Sequence, residues 1–407
     1  LVPARFDLFY QRHDPTDPRL GQIVKRSIKS DLYSDDLREV RAAILGYPDD
    51  QGVLLNRGRS GAKEGPDKLR EHLYKLTPGI QGELARLGIL DLGNLSVVPN
   101  LEESHQRAAN LVRTLVSHKV VPVVFGGGND YAFADAEGVL GATPLKKRIG
   151  VINVDAHLDA RNLNFGLTSG TPYYRLLERF KNRLAKNGLV EFGIQSAKNA
   201  TDHARYVRKR GGKILALDAI RDQGVGSAFK SCLRSLTRSC GAIVVSIDLD
   251  AIAQAYAPGV SAPSADGLTA KEALDIARHA GECDRVALFS IYELSPGNQR
   301  VPNGQVRALS RSDPPPIHEP NAMAAWDVTP NQISSKVIRS SVAARAIDNG
   351  KFWVWDVPGL QSVEIAKRIP RSIIARAAGW CLFPKNKLLV GIMTPIVFER
   401  AKASIAR

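Results

Sequence analysis

Two short stretches carry the densest chemistry in the chain. Asp155-Ala156-His157-Leu158-Asp159 follows the apolar run 148–154, and Asp248-Leu249-Asp250 follows the apolar run 242–247. Strands of open α/β sheets carry function at their carboxyl ends, where the chain leaves the core and faces a crevice. Four carboxylates and one imidazole, delivered by two strand ends, suit a pair of hard divalent cations. Carboxylate oxygen with imidazole nitrogen favours Mn2+ or Zn2+ over soft metals. Two such cations a few ångströms apart can share a bridging carboxylate and activate a water between them. A single strand-end Asp is usually a cap or turn residue, and a lone His is usually a hydrogen-bonded structural residue. The pairing of D-A-H-x-D with S-x-D-x-D, each directly behind a β-branched run, favours the metal reading over both.

Two more strand-like runs end in loaded sequences. Residues 120–125 lead into Gly126-Gly127-Gly128-Asn129-Asp130, and residues 285–291 lead into Tyr292-Glu293-Leu294-Ser295-Pro296. The elements that must position these groups alternate. Strands are expected at 40–45, 89–92, 120–125, 148–154, 189–194, 213–217, 242–247 and 285–291. Helices are expected at 67–76, 102–117, 173–185, 200–210, 225–237 and 270–280, with a Gly-rich loop at 52–62. Alternation at this spacing predicts an α/β fold, a mostly parallel sheet with helices on both faces. Residues 1–39 read as an irregular lead-in, 40–310 as the catalytic domain and 311–407 as an atypical C-terminal segment.

The composition fits a soluble globular protein: 407 residues, 44% hydrophobic and 24% charged. The four cysteines, Cys232, Cys240, Cys283 and Cys381, form no C-x-x-C pair. Neither a zinc knuckle nor a disulfide framework is indicated, which favours a reducing, cytoplasmic setting. No secretory signal is expected at Leu1-Val2-Pro3-Ala4-Arg5-Phe6, and no apolar run is long enough to span a bilayer. The net charge is +15. Lys and Arg are spread along the chain in short clusters, without a nucleic-acid-binding motif. The charge is read as a solvated basic surface that also suits an anionic small-molecule substrate.

These motifs resemble the ureohydrolase superfamily of arginases, agmatinases and formiminoglutamases over residues 40–308. Members carry G-G-x-H, D-A-H-x-D, S-x-D-x-D and a strand-end Glu in that order. Gly58-Arg59-Ser60-Gly61-Ala62 with Gly65-Pro66 and Ala257-Pro258-Gly259 with Gly267-Leu268 add to the likeness. The resemblance implies a three-layer α/β/α sandwich, two Mn2+ ions, hydrolysis of an amidine or guanidine C–N bond, and a homo-oligomer. Carried over position by position, Asp155 and Asp248 bridge the metals. His157 and Asp250 complete one site, and Asp159 serves the other and shuttles a proton. Glu293 holds the cationic amidinium by a charge-assisted hydrogen bond.

Asn129 stands where the family has the histidine of G-G-x-H. An amide oxygen is the weaker donor, so one metal site is expected to be weak. Ala253-Gln254 replaces the usual D-P, and Gly297-Asn298-Gln299 lacks the acidic residue that commonly follows the Glu motif. Ser169-Gly170-Thr171-Pro172-Tyr173, Arg161, Gly259-Val260-Ser261-Ala262-Pro263 and Gly193-Ile194-Gln195 followed by Asn199 look like formiminoglutamases. Arg161 suits a substrate carboxylate, which a guanidinium fork binds bidentately. The favoured reading is hydrolysis of N-formimino-L-glutamate to glutamate and formamide, a step of histidine degradation, with Arg161, Ser169 and Gly170 on the substrate. Two readings stay open beside it: another guanidino-compound hydrolase, and a non-catalytic homologue with one impaired metal site.

All four Trp and both Met lie beyond residue 310, and the junction carries Pro314-Pro315-Pro316. The switch is what a frameshifted or fused reading frame would produce, with a genuine accessory domain as the alternative. Limited proteolysis is expected to trim the chain to a resistant core ending near residue 310. A resistant tail that stays docked on the core would contradict that boundary.

Overall fold

The computed structural model describes residues 1–299 and two strands of the C-terminal segment, Ala344–Ile347 and Lys351–Val354. Nine strands form one sheet: β1 (Lys25–Arg26), β2 (Ala42–Gly46), β3 (Ile89–Asn94), β4 (Val121–Phe125), β5 (Ile149–Val154), β6 (Leu184–Ile194), β7 (Lys213–Ala216), β8 (Ala242–Asp248) and β9 (Val286–Tyr292). Their order is β1-β3-β2-β4-β9-β8-β5-β6-β7, and every pairing is parallel. The mostly parallel sheet expected from the sequence is thus wholly parallel. β10 (Ala344–Ile347) and β11 (Lys351–Val354) pair antiparallel as a separate hairpin. The rest of 311–407, including the proposed boundary, lies outside the described residues.

A parallel sheet must be covered on both faces, and the strand sequences show why. Successive side chains point to opposite faces, and both sets are apolar here. Ile152, Val154, Ile243, Val245 and Ile247 pack on one side with helices Gly65–Leu73, Val225–Ser239 and Ala270–Glu282. Val151, Val244 and Leu288 pack on the other with helices Leu101–Ser117, Ala132–Ala142 and Pro172–Phe180. This is the α/β/α sandwich.

Helix Ala132–Ala142 was not expected from periodicity. It is buried on nearly every side, so its sequence carries no apolar stripe to find. Gly138 lets it close on its neighbour: a Cβ there would stand 2.6 Å from the carbonyl oxygen of Ala109. The helix expected over 173–185 ends at Phe180, because Leu184 already pairs with Ile149 as the start of β6. The Gly-rich loop begins instead as a short helix, Gln51–Leu55, with Asp49 accepting from the Gln51 backbone N–H at 2.9 Å. The lead-in is largely irregular, yet Ala4, Leu8, Phe9, Leu20 and Val24 join the main core and β1 extends the sheet.

One buried ion pair ties the sheet to a helix. Arg70, fully buried on helix Gly65–Leu73, donates from Nε and Nη2 to Asp91 of β3 at 2.8 and 3.0 Å. Nη1 donates to Asn94 Oδ1 and Nη2 also to the Gly93 carbonyl, and Tyr74 donates to Asp91 as well. Breaking a buried pair by removing one partner leaves an uncompensated charge, which costs about 3–5 kcal/mol. Asp91→Ala should lose stability on that scale in urea denaturation, while Arg70→Met/Asp91→Leu loses much less. Equal losses in the two variants would contradict this reading.

Candidate active site

The four loaded strand ends are neighbours in space. β4, β9, β8 and β5 lie side by side at the centre of the sheet, in that order, and all point the same way. Their carboxyl ends deliver Asn129, Glu293, Asp248 with Asp250, and Asp155 with His157 and Asp159 to one crevice. Asp155 and Asp248 are carried on the same face of the sheet, because each lies two residues beyond a partner in register, Asn153 and Ser246.

Two groups of donor atoms form there. Asp155, His157 and Asp250 each offer one atom within 4.8 Å of the others, and so do Asp155, Asp159 and Asp248. Asp155 belongs to both. His157 Nδ1 stands 2.9 Å from Asp250 and 3.6 Å from Asp155. Burial disfavours the charged imidazole, but the two carboxylates outweigh it and push His157 up to about 11. Burial, with the charge of Asp250, raises Asp155 to about 6. Burial and the neighbouring Asp250 and Asp155 likewise hold Asp248 well above the usual carboxylate range. Crowded, desolvated carboxylates of this kind call for cations. Oxygen and imidazole donors, with Asp250 Oδ1 buried and unpartnered, fit a hard divalent pair.

Asn129 faces the second group. Its Nδ2 donates to Asp159 at 2.7 Å and to Asp155 at 3.3 Å, while its Oδ1 is buried without a partner. As placed, the amide presents its donor nitrogen to these carboxylates, and only its oxygen could contact a cation. Turning the amide over exchanges the two atoms.

Glu293 accepts from the Asn129 backbone N–H at 3.1 Å through Oε1. Its Oε2 is buried and unpartnered. Asp159 (φ 39°) and Glu293 (φ 66°) both lie in the left-handed region without being glycine. Such backbones cost of order 1–3 kcal/mol each and persist where the surroundings enforce them, commonly at functional sites. Here the enforcement is visible. The Glu293 N–H is tied to the Gly127 carbonyl at 2.8 Å. The preceding Tyr292 donates its hydroxyl to buried Asp135 at 2.6 Å. Gly127 must be glycine, since a Cβ would stand 1.9 Å from the Asp49 carbonyl oxygen.

Several supports escaped sequence reasoning. Asp130 accepts from His105 Nε2 at 2.7 Å, and Arg175 lies 2.8 Å from His105 Nδ1. Arginine only donates, so Nδ1 is the acceptor and Nε2 carries the proton. This chain anchors the residue next to Asn129. Its signal was a Ser and a His within the otherwise apolar stripe Leu101, Ser104, His105, Ala108, Ala109, Val112 and Leu115. Asn199, by contrast, stands out in the sequence: it accepts from Leu158 N–H and donates to the Ala156 carbonyl, both at 2.8 Å, fixing the loop that carries His157.

Arg161 is exposed. Its backbone N–H donates to the Gly170 carbonyl at 2.9 Å, and its side chain lies so close over Gly170 that a Cβ there would stand 2.9 Å from its Cδ. Ser169 is buried. Its N–H donates to the Gly52 carbonyl and its hydroxyl accepts from Asn56 at 3.1 Å.

Residues 40–306 match the family model described as Arginase family. The chain belongs to the arginase family. Within that family it is similar to the formimidoylglutamase of Staphylococcus epidermidis, with 31% identity over 285 residues, 70% of this chain and 88% of that protein. The formimidoylglutamase of Halobacterium salinarum is 31% identical over 287 residues, again 70% of this chain and 88% of that one. Among solved structures, Trypanosoma cruzi formiminoglutamase with Mn2+2 superposes with a TM-score of 0.62 at 32% identity, covering 69% of this chain and 92% of that one. The three-layer α/β/α fold is thus an arginase-like one. Among the described residues, no helix is long and apolar enough to cross a membrane.

Proposed function

We propose that this chain hydrolyses N-formimino-L-glutamate to L-glutamate and formamide. The observation that carries the reading is Arg161, an exposed guanidinium side chain packed over Gly170 and only two residues beyond Asp159 of the buried carboxylate cluster. The pairing suits a substrate with a cationic amidinium at one end and carboxylate at the other. The formimidoylglutamase relatives support it. Asp155, His157 and Asp250 would hold one Mn2+, and Asp155, Asp159 and Asp248 the other, with Asn129 beside it. Bound there, the metals supply Lewis acidity that makes water a nucleophile near neutral pH.

The chain's own groups do the rest. The free Oε2 of Glu293 accepts from the amidinium N–H and holds the planar carbon over the cluster. Asp159, half-buried and able to reach the reacting water, takes its proton and returns it to the leaving nitrogen. The bond from the formimino carbon to the glutamate nitrogen breaks as a carbon–oxygen bond forms, and one water is consumed. Arg161 binds substrate carboxylate, and Ser169 and Gly170 shape its seat. The scattered cysteines suit a reducing cytoplasmic setting, and family likeness suggests a homo-oligomer acting in histidine catabolism.

Asn129 gives this centre unequal sites. Asn129→His should raise Mn2+ occupancy of the site holding Asp159, read by metal analysis after dialysis, and raise activity with it. Equal, tight occupancy before the substitution and no gain after it would contradict the asymmetry.

Substrate choice tests the assignment. With Mn2+ in excess, formiminoglutamate should be turned over faster than arginine or agmatine. Arg161→Ala should raise KM sharply with less effect on kcat, because the contact binds ground and transition states alike. Faster hydrolysis of arginine or agmatine would leave only the family.

A further inference from the structure

A row of polar residues runs through the sheet directly behind the metal-binding carboxylates. Glu191 on β6, Asn153 on β5, Ser246 on β8 and Ser290 on β9 are paired in register across four adjacent strands. They share the face covered by helices Ala132–Ala142 and Pro172–Phe180, and none is more than 1% exposed. Two residues earlier on the same face, the strands carry Leu189, Val151, Val244 and Leu288, the apolar layer a buried sheet ordinarily has.

Glu191 is the costly member of the row. Its Oε1 is buried without a partner, and no cationic side chain pairs with it among the described residues. A lone buried carboxyl is expensive, so a strand this deep would be more stable with an apolar residue. Its one visible engagement is with Asn153, whose Nδ2 donates to Glu191 Oε2 at 2.9 Å. The same Nδ2 reaches Asp155 Oδ2 at 3.2 Å. The other oxygen of Asp155 accepts the His157 backbone N–H at 2.6 Å. Both oxygens of the carboxylate common to the two donor groups are therefore oriented from within the protein, one of them through an amide that Glu191 holds in place.

We propose that Glu191 is a positioning residue for the metal centre: by holding the Asn153 amide, it fixes the plane of the Asp155 carboxylate so that one carboxylate can serve both cations. The inference rests on the metal-centre reading given above. Outer partners that orient a ligand typically change metal affinity 10–100-fold when removed, and Glu191 acts at one remove, through Asn153.

The test is Mn2+ binding, followed by the electron paramagnetic resonance signal of unbound Mn2+, on the full chain carrying Glu191→Leu, Glu191→Gln and Asn153→Ser. Glu191→Leu should weaken Mn2+ binding by about 10-fold or more. Its metal-free melting temperature should not fall, because an unpaired buried carboxyl has been replaced by an apolar group. Glu191→Gln keeps an oxygen for the Asn153 amide and should bind Mn2+ within about threefold of the unmodified protein. Asn153→Ser removes the shared donor and should weaken binding as Glu191→Leu does. The double variant should add little to either, as expected for residues acting as one unit. If Glu191→Leu fails to fold, Glu191 is a structural requirement and the proposal falls. Wild-type Mn2+ affinity in a folded Glu191→Leu or in Asn153→Ser overturns the inference alone. An unmodified protein that binds no Mn2+ removes the metal-centre reading and this inference together.

Discussion

Four aspartates brought together at the edge of a parallel sheet repel one another, and the rest of the site follows from that repulsion. Asp155 and Asp248 are carried there by strands that, apart from the buried Asn153 and Ser246, are apolar and fill a two-faced core. The fold thus delivers charge to a place that excludes water, where a carboxylate is stable only if protonated or paired. In the structure His157, held between Asp155 and Asp250, offsets part of that repulsion. Divalent cations answer the same electrostatic demand more completely and fit the donor atoms present.

The remaining framework keeps these groups from relaxing apart. Asp159 and Glu293 sit in backbone conformations that a free chain avoids. The ties around Glu293, from Gly127 to the Tyr292–Asp135 bond, explain why it stays there. The cost is borne by the two well-packed layers on either side of the sheet and by distant anchors such as Arg70–Asp91. Geometry at the crevice is therefore a property of the whole α/β domain. The match to the arginase family is consistent with that, since it runs through residues 40–306.

The positions of eight strands along the chain and the motifs at their ends were legible in the sequence because apolar β-branched runs ending in polar residues leave a local trace, whereas the order of the strands within the sheet was not. Asp155, Asp248 and Glu293 each follow such a run directly. Helix Ala132–Ala142 left no trace, since a segment buried on all sides has no amphipathic period. The helix over 173–185 was drawn too long because pairing of Leu184 with Ile149 is a long-range event that overrides local periodicity. Supports such as His105, Arg175 and Glu191 were hidden for a related reason. Each is one polar residue in an ordinary helix or strand, and its meaning lies in a neighbour distant in sequence. Asn129 was different: its departure from the family's histidine could be read directly, and its amide does meet Asp155 and Asp159.

The central claim is that this carboxylate cluster exists to bind two cations that share Asp155. Anomalous diffraction at the manganese edge, from crystals grown with Mn2+, addresses it most directly. Two peaks are expected, one among Asp155, His157 and Asp250, the other among Asp155, Asp159 and Asp248, with the second lower in occupancy. No peak in the crevice, or a single peak that leaves Asp155 without a metal, would contradict the account.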